Sequence, residues 1–383
     1  MEFVFATSGR IIFGCGKVNQ AGSLAAEYGR NVLLVTGVKN PDPQQLINSL
    51  TEYQIDWHVF RISGEPSVEN VKNAVETARS WQCDSVIGFG GGSVIDAGKA
   101  TAALLTNPGD PLNYLEVVGE GKTLVKPPAP FIAIPTTAGT GSEVTRNAVL
   151  TVESKAVKVS LRSHMMLPTA AIVDPELTYS LPPNITASAG MDALAQVLEP
   201  FVSVRANPMV DMFCKEGLTR VSRSLEAAYL SGEKGARLDM AWASLLGGMA
   251  LANSGLGVIH GFAGPLGGML SAPHGVLCAA MLPIVTEANI NILMERQPEN
   301  PALTRYQMAA QILVGQQSAT VQDLVEWLKT LGMKFQVPSL ESLGMSRKDI
   351  PAVVEKAQNS SSMKGNPIAL SREDLTSIME SLL

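Results

Sequence analysis

The chain has 383 residues, 46% of them apolar and only 17% charged; an average globular protein has about 25% charged residues, so much of this sequence must be interior and global disorder is excluded. At ~150 residues per domain, the length predicts two or three domains. The 29 basic and 35 acidic residues leave a net charge of −6, with no run of Lys and Arg to neutralise phosphates, so no nucleic-acid partner is expected.

The N-terminus carries Glu2 and lacks a basic stretch, so no signal peptide is expected and the predicted location is cytoplasmic. Residues 10–13 alternate like a strand, and 32–35 form a compact apolar run. A helix is predicted over 44–53, a strand over 57–61, and a helix over 68–81 with Val71, Ala74, Val75 and Ala78 on one face. Residues 85–89, 131–134 and 171–173 complete the strands. Strands alternating with helices of this length imply β-α-β units on a parallel sheet.

After residue 181 the texture changes. Helical spacing recurs over 184–202, 208–225, 234–253, 302–314, 321–331, 347–357 and 372–382, without strand alternation, and Pro182-Pro183 marks the boundary. The expected architecture is an α/β domain with a parallel sheet over 1–180 and an all-α domain over 181–383. Ligands are expected in a cleft between the two. Residues 360–365 read as a mobile loop. Residues 240–286 contain no Asp, Glu, Lys or Arg, which raises the possibility of a membrane hairpin; frequent Gly and Pro, with His260 and His274, favour buried helices and no membrane partner. Cys15, Cys83, Cys214 and Cys278 form no CxxC pair and read as buried thiols.

The strand at 85–89 runs into Gly90-Gly91-Gly92-Ser93, with Asp96 and Lys99 beyond. Glycines at a helix start let the backbone approach a ligand, and the free N–H groups attract a phosphate; a ligand-free tight turn needs the same glycines. Ser93 and Asp96 have the spacing of a capping box. A second Gly/Thr-rich loop, Pro135 to Glu143, follows the strand at 131–134 and suits either a polar ligand or a surface turn. In the helical half, Asp192 and Gln196 are four apart on one helix face. With His260 and His274 they could converge on one divalent ion, or they could be a hydrogen-bonded pair and two core histidines.

Taken together these motifs resemble the iron-containing (group III) alcohol dehydrogenases. The resemblance rests on Gly90-Gly91-Gly92-Ser93 with Asp96 and Lys99, on the PTTAGTGSE loop at 135–143, on Val173-Asp174-Pro175, on Gly190-Met191-Asp192-Ala193-Leu194 and on Pro273-His274-Gly275, and it covers nearly the whole chain. It implies the dehydroquinate synthase-like fold of that family, with residues 1–180 as its dinucleotide-binding α/β domain, and hydride transfer between NAD or NADP and a small alcohol or aldehyde. By carry-over, Gly90, Gly91, Gly92 and Ser93 would hold the pyrophosphate. Gly37, Asp96, Thr136, Thr137, Thr140, Ser142 and Lys158 would complete the cofactor site. Asp192, Gln196, His260 and His274 would hold a divalent metal, iron or zinc, with Asp192, His260 and His274 carrying the catalytic role. A homodimer is also implied.

Three positions depart from the family pattern. Gln196 stands where the family usually has His, and a carboxamide oxygen is a weaker ligand than imidazole for iron or zinc. Gly264 stands where a further His is common, so any proton must travel by water or the ribose hydroxyls. Gly37 replaces an acidic residue, removing repulsion of a 2′-phosphate and permitting NADP. Within the fold, the alternatives are a metal-independent reductase resembling maleylacetate reductases and a lyase resembling dehydroquinate synthase. Met191, Leu194, Phe262 and Met269 are expected to line an apolar substrate pocket.

Overall fold

The computed structural model describes residues 2–38, 42–155, 157–270 and 272–383. The chain divides into two compact units. The α/β unit comprises 6–137 and 141–180, and the helical unit comprises 181–383 with 1–5 and 138–140. The two short segments that join the helical unit depart from a single boundary near 180.

The strands of the α/β unit are β1 (Ile11–Phe13), β2 (Asn31–Gly37), β3 (Asp56–Ile62), β4 (Ser85–Gly90), β5 (Phe131–Pro135), β6 (Asn147–Val152), β7 (Val157–Arg162) and β8 (Ala170–Val173). Its helices are α1 (Ala21–Ala26), α2 (Gln44–Glu52), α3 (Val68–Ser80) and α4 (Gly92–Thr106). Six strands form one parallel sheet in the order β1-β8-β5-β4-β2-β3. Both faces are buried, which is why β2, β4 and β5 read as continuous apolar runs. On one face Val32, Leu34, Ile87, Phe89, Ile132 and Ile134 pack with Leu24, Leu46 and Leu50 of α1 and α2. On the other, Leu33, Val35, Val86, Phe131 and Ala133 pack with Ala74 and Ala78 of α3 and Ile95 of α4. That alternation is the period of two of a strand.

From β2 the chain turns outward to β3 and then returns to place β4 on the opposite side of β2. The order therefore reverses between β2 and β4, and ligands of open α/β sheets bind at the carboxyl ends of strands flanking such a reversal. Gly37 ends β2 and Gly90 ends β4. The antiparallel pair β6–β7 was not expected from sequence.

The helical unit contains α5 (Pro183–Val202), α6 (Pro208–Leu230), α7 (Lys234–Ser254), α8 (Val258–Leu270), α9 (His274–Arg296), α10 (Pro301–Val314), α11 (Val321–Lys334), α12 (Ile350–Gln358) and α13 (Arg372–Ser381). Helix α9 is long and apolar enough to cross a membrane by length and composition, and 61% of its most apolar window is buried, as in a core helix. The expected loop at 360–365 is instead a packed 3-10 turn at Ser361–Gly365, with Gly365 buried. Next to it, the Asn366 and Asn289 carboxamides bond to each other in both directions, at 2.9 and 3.1 Å, and Asn366 also donates to the Ile368 carbonyl. The cysteines also depart from expectation: all four are free, but Cys15 is exposed and Cys83 only half-buried, while Cys214 and Cys278 are buried.

Candidate active site

In the α/β unit, the glycine loop forms the start of α4. Gly91, in extended conformation with φ −72°, is the N-cap, and the helix begins at Gly92 without a side-chain cap. The capping box expected of Ser93 and Asp96 is absent for that reason: Ser93 is already inside the first turn, and Asp96 is too far along to reach back. The Asp96 carboxylate is buried and accepts a 2.9 Å hydrogen bond from the Val149 N–H of β6. Asp96 therefore braces the sheet pair. Burial raises its pKa, with Lys99 opposing.

Lys99 is wholly buried, and its ammonium donates to the Ser142 carbonyl, the Thr145 hydroxyl and the Asn147 carbonyl at 2.7 to 2.9 Å. Burial pushes it down to about 8, with Asp96 opposing. Lys99 thereby pins the loop carrying Ser142, whose own backbone carbonyl is one of its acceptors.

The two ligand-type loops lie side by side. Gly90 pairs with Pro135 across β4 and β5, and the Thr136 N–H donates to the Gly90 carbonyl at 3.0 Å. A Cβ built on Gly91 would meet only Thr137, at 3.4 Å, so the space above this helix start is open to a ligand. Ser93 donates to Glu65 at 3.4 Å, and the Lys158 ammonium lies 3.4 Å from the same carboxylate. The structure thus brings Gly90, Gly91, Gly92, Ser93, Thr136, Thr137 and Lys158 into one neighbourhood, with Gly37 at the neighbouring strand end. Asp96 and Ser142 are engaged in bracing, and Thr140 falls within the helical unit. Glu65 was missed, being an isolated carboxylate in a turn.

In the helical unit, α5 presents Asp192, Gln196 and Glu199 at i, i+4 and i+7, all buried. His260 projects from α8. His274 is the first residue of α9, fixed there by Pro273 at the N-cap. Gly275 lets α9 press against α5, because a Cβ there would lie 2.6 Å from the Ser188 carbonyl oxygen. Ligand atoms of Asp192, His260, His274 and Cys278 all lie within 4.8 Å of one another. Asp192 Oδ1 is 3.3 Å from His260 Nε2 and 3.8 Å from His274 Nε2.

Glu199 fixes the orientation of His260. Its Oε1 accepts the Ile259 N–H at 2.8 Å and its Oε2 takes His260 Nδ1 at 2.6 Å. With Nδ1 donating to a carboxylate, Nε2 faces the donor set, the arrangement that orients metal-binding histidines. Neither Glu199 nor Cys278 was singled out from sequence. Glu199 was findable, since it repeats the helix face of Asp192 and Gln196. Met191, Leu194 and Phe262 are wholly buried, which corrects their assignment to a substrate pocket; only Met269 keeps exposed surface.

The electrostatics favour a cation at this point. Burial lowers the pKa of His274, but Cys278 and Asp192 outweigh it and push it up to about 9. His260 is likewise raised, with burial opposing and the Cys278 sulfur and Glu199 prevailing. Burial raises Asp192, yet His274 and His260 hold it below the usual carboxylate value. Gln196 Oε1 is buried without a hydrogen-bond partner, a condition that costs about 1–3 kcal/mol unless a ligand satisfies it, and Asp192 Oδ1 is buried beside the two imidazoles. An Asp192 oxygen beside two imidazole nitrogens, with the Cys278 sulfur within the same 4.8 Å, fits a divalent metal.

Residues 8–175 match the model of the iron-containing alcohol dehydrogenases, and residues 186–383 match the C-terminal model of the same family. The chain belongs to the iron-containing alcohol dehydrogenase family. Alcohol dehydrogenase 4 of Schizosaccharomyces pombe is 34% identical over 97% of this chain and 87% of its own length. The crystal structure of a 1,3-propanediol oxidoreductase superposes with a TM-score of 0.92 at 31% identity, covering all of both chains. Sulfoacetaldehyde reductase from Bifidobacterium kashiwanohense, solved in complex with NAD+, superposes at 0.86 with 29% identity, covering 100% of this chain and 99% of its own. This iron-containing alcohol dehydrogenase family member is an oxidoreductase acting on CH–OH groups, with a small-molecule alcohol or aldehyde as substrate. The family works with NAD(P) and a divalent metal.

Proposed function

We propose that this alcohol dehydrogenase reduces small uncharged aldehydes, and oxidises the corresponding alcohols, in the cytoplasm as a homodimer. A divalent ion held by Asp192, His260 and His274 assists it. The observation that carries this reading is the convergence of those donor atoms within 4.8 Å of one another about a buried Asp192 oxygen. When bound, the ion supplies Lewis-acid polarisation of the reacting oxygen. Glu199 orients His260, and Asp192 contributes the negative charge that draws a cation in. His274 keeps 37% of its side chain exposed, so solvent and substrate reach the donor set from its side.

The open helix start at Gly91 and Gly92 supports binding of the cofactor pyrophosphate by the N–H groups of 91–93. Thr136, Thr137 and Lys158 stand beside it. Gly37 at the end of β2 presents no carboxylate, so both NAD and NADP are accepted. Gly264 carries no ionisable group, so the proton of the alcohol moves through water or the ribose hydroxyls. The family match runs through both halves of the chain and leaves the lyase and the metal-independent reductase without support.

The test is oxidation of NADH and NADPH against a panel of short aldehydes, with metal content measured on the same protein before and after chelation. The expected outcome is loss of turnover on metal removal and recovery on reloading with ferrous or zinc ions. Full turnover by metal-free protein would overturn the reading.

A further inference from the structure

In the helical unit four side chains, one more than the catalytic carry-over requires, turn donor atoms toward one point. Cys278 stands one turn after His274 on α9, and its sulfur lies 3.6 Å from His274 Nε2 and 3.9 Å from His260 Nε2. Cys278 is wholly buried, yet its sulfur faces imidazole nitrogens and the carboxylate region of Asp192 rather than apolar neighbours alone. Among the described residues, this is the one group of three or more His, Cys, Asp or Glu side chains spaced to hold a metal. The expected fourth ligand, Gln196, offers only a neutral carboxamide oxygen.

We propose that Cys278 is a metal ligand, binding as a thiolate together with Asp192, His260 and His274 in the position Gln196 was expected to fill. The proposal rests on the metal reading above and deepens it. On binding, the thiol releases its proton to solvent and the sulfur donates a lone pair to the ion, because only the thiolate ligates. One carboxylate, one thiolate and two neutral imidazoles carry two negative charges, which a dication neutralises. A thiolate is a softer donor than any oxygen ligand, and imidazole suits zinc as well as iron. The donor set therefore favours zinc over ferrous iron, and it draws more electron density onto the ion than a carboxamide would.

The test uses the full-length protein, stripped by chelation and reloaded with one equivalent of cobalt(II). Thiolate ligation gives an intense near-ultraviolet sulfur-to-cobalt charge-transfer band. The band is expected in the wild type, in Cys15→Ser and in Gln196→Ala, and is expected to be absent in Cys278→Ser and Cys278→Ala. Zinc affinity in the Cys278 variants, measured by competition with a chromophoric chelator, is expected to fall by more than the roughly 10–100-fold cost of losing an outer partner of a ligand. Cobalt bound to the wild type without the band overturns the thiolate assignment alone, as does a band that survives in Cys278→Ser. The wild-type spectrum reads the ligand even where a variant fails to fold. Protein that binds no cobalt at all overturns both this assignment and the metal reading beneath it.

Discussion

A single carboxylate decides which nitrogen of His260 faces the donor set. Glu199 accepts at 2.6 Å from Nδ1 and also holds the Ile259 N–H at the start of α8. Glu199→Gln keeps the shape but replaces a charged acceptor with a neutral amide that can bond either tautomer. Metal affinity is expected to drop about 10–100-fold with the circular dichroism unchanged; equal affinity in chelator competition would make Glu199 a packing residue. Away from the site, Asp239 shows what a charge does for the fold alone. It takes hydrogen bonds from Arg220, Arg223 and Ser224 at 2.5 to 2.9 Å. Burial raises its pKa, but these three partners hold it at about 2. A carboxyl depressed in the folded state stabilises above its unfolded pKa, about 4, and that contribution is lost as pH falls toward 2. Asp239→Asn should lower the melting temperature by an amount that is constant between about pH 7 and 5 and shrinks below about pH 4. A difference that grew on acidification would sink this account.

At the scale of elements, the start of α4 is where sequence and chemistry meet most directly. Gly91 has an ordinary extended backbone, and its added Cβ would meet only Thr137, at 3.4 Å. Gly91→Val should therefore leave the fold intact while filling the space that a pyrophosphate needs. The expected result is an unchanged melting temperature without cofactor and loss of NADPH fluorescence enhancement; undiminished binding would remove this helix start from the cofactor site. This loop was legible because an apolar strand, three glycines and a helix leave few other conformations. The capping box was not, because Gly91 takes the cap and leaves Ser93 two positions inside it, a choice of register that spacing cannot make. The pair β6–β7 was not legible although each strand has six residues, because its strands are only half-buried and no Asn-Gly or Asp-Gly turn joins them. Asp192 and Gln196 were legible as neighbours on one helix. Cys278 was not: until α9 is known to start at His274, nothing in the sequence puts residues 274 and 278 on a shared turn.

At the scale of the whole molecule, the glycine-rich start of α4 and the metal donors belong to different compact units. Each ligand should then stabilise its own unit, by about 2.7 kcal/mol at a hundred times its dissociation constant. For a unit of this size that corresponds to a rise of roughly 5–10 °C in melting temperature, at ~2–4 °C per kcal/mol. The four tryptophans report on the units separately, since Trp57 and Trp81 lie in the α/β unit and Trp242 and Trp327 in the helical unit. Trp81 also stacks on His58 with ring centroids 3.9 Å apart, so its emission should respond to loss of that packing. A Trp57→Phe, Trp81→Phe variant then reads the helical unit, and Trp242→Phe, Trp327→Phe reads the other. Chelation should lower the transition seen in the first variant and spare that in the second, while saturating NADPH should raise the second more than the first. Equal shifts in both variants with either ligand would mean that the two units unfold as one cooperative block, and the assignment of each ligand's stabilisation to a separate unit would fall.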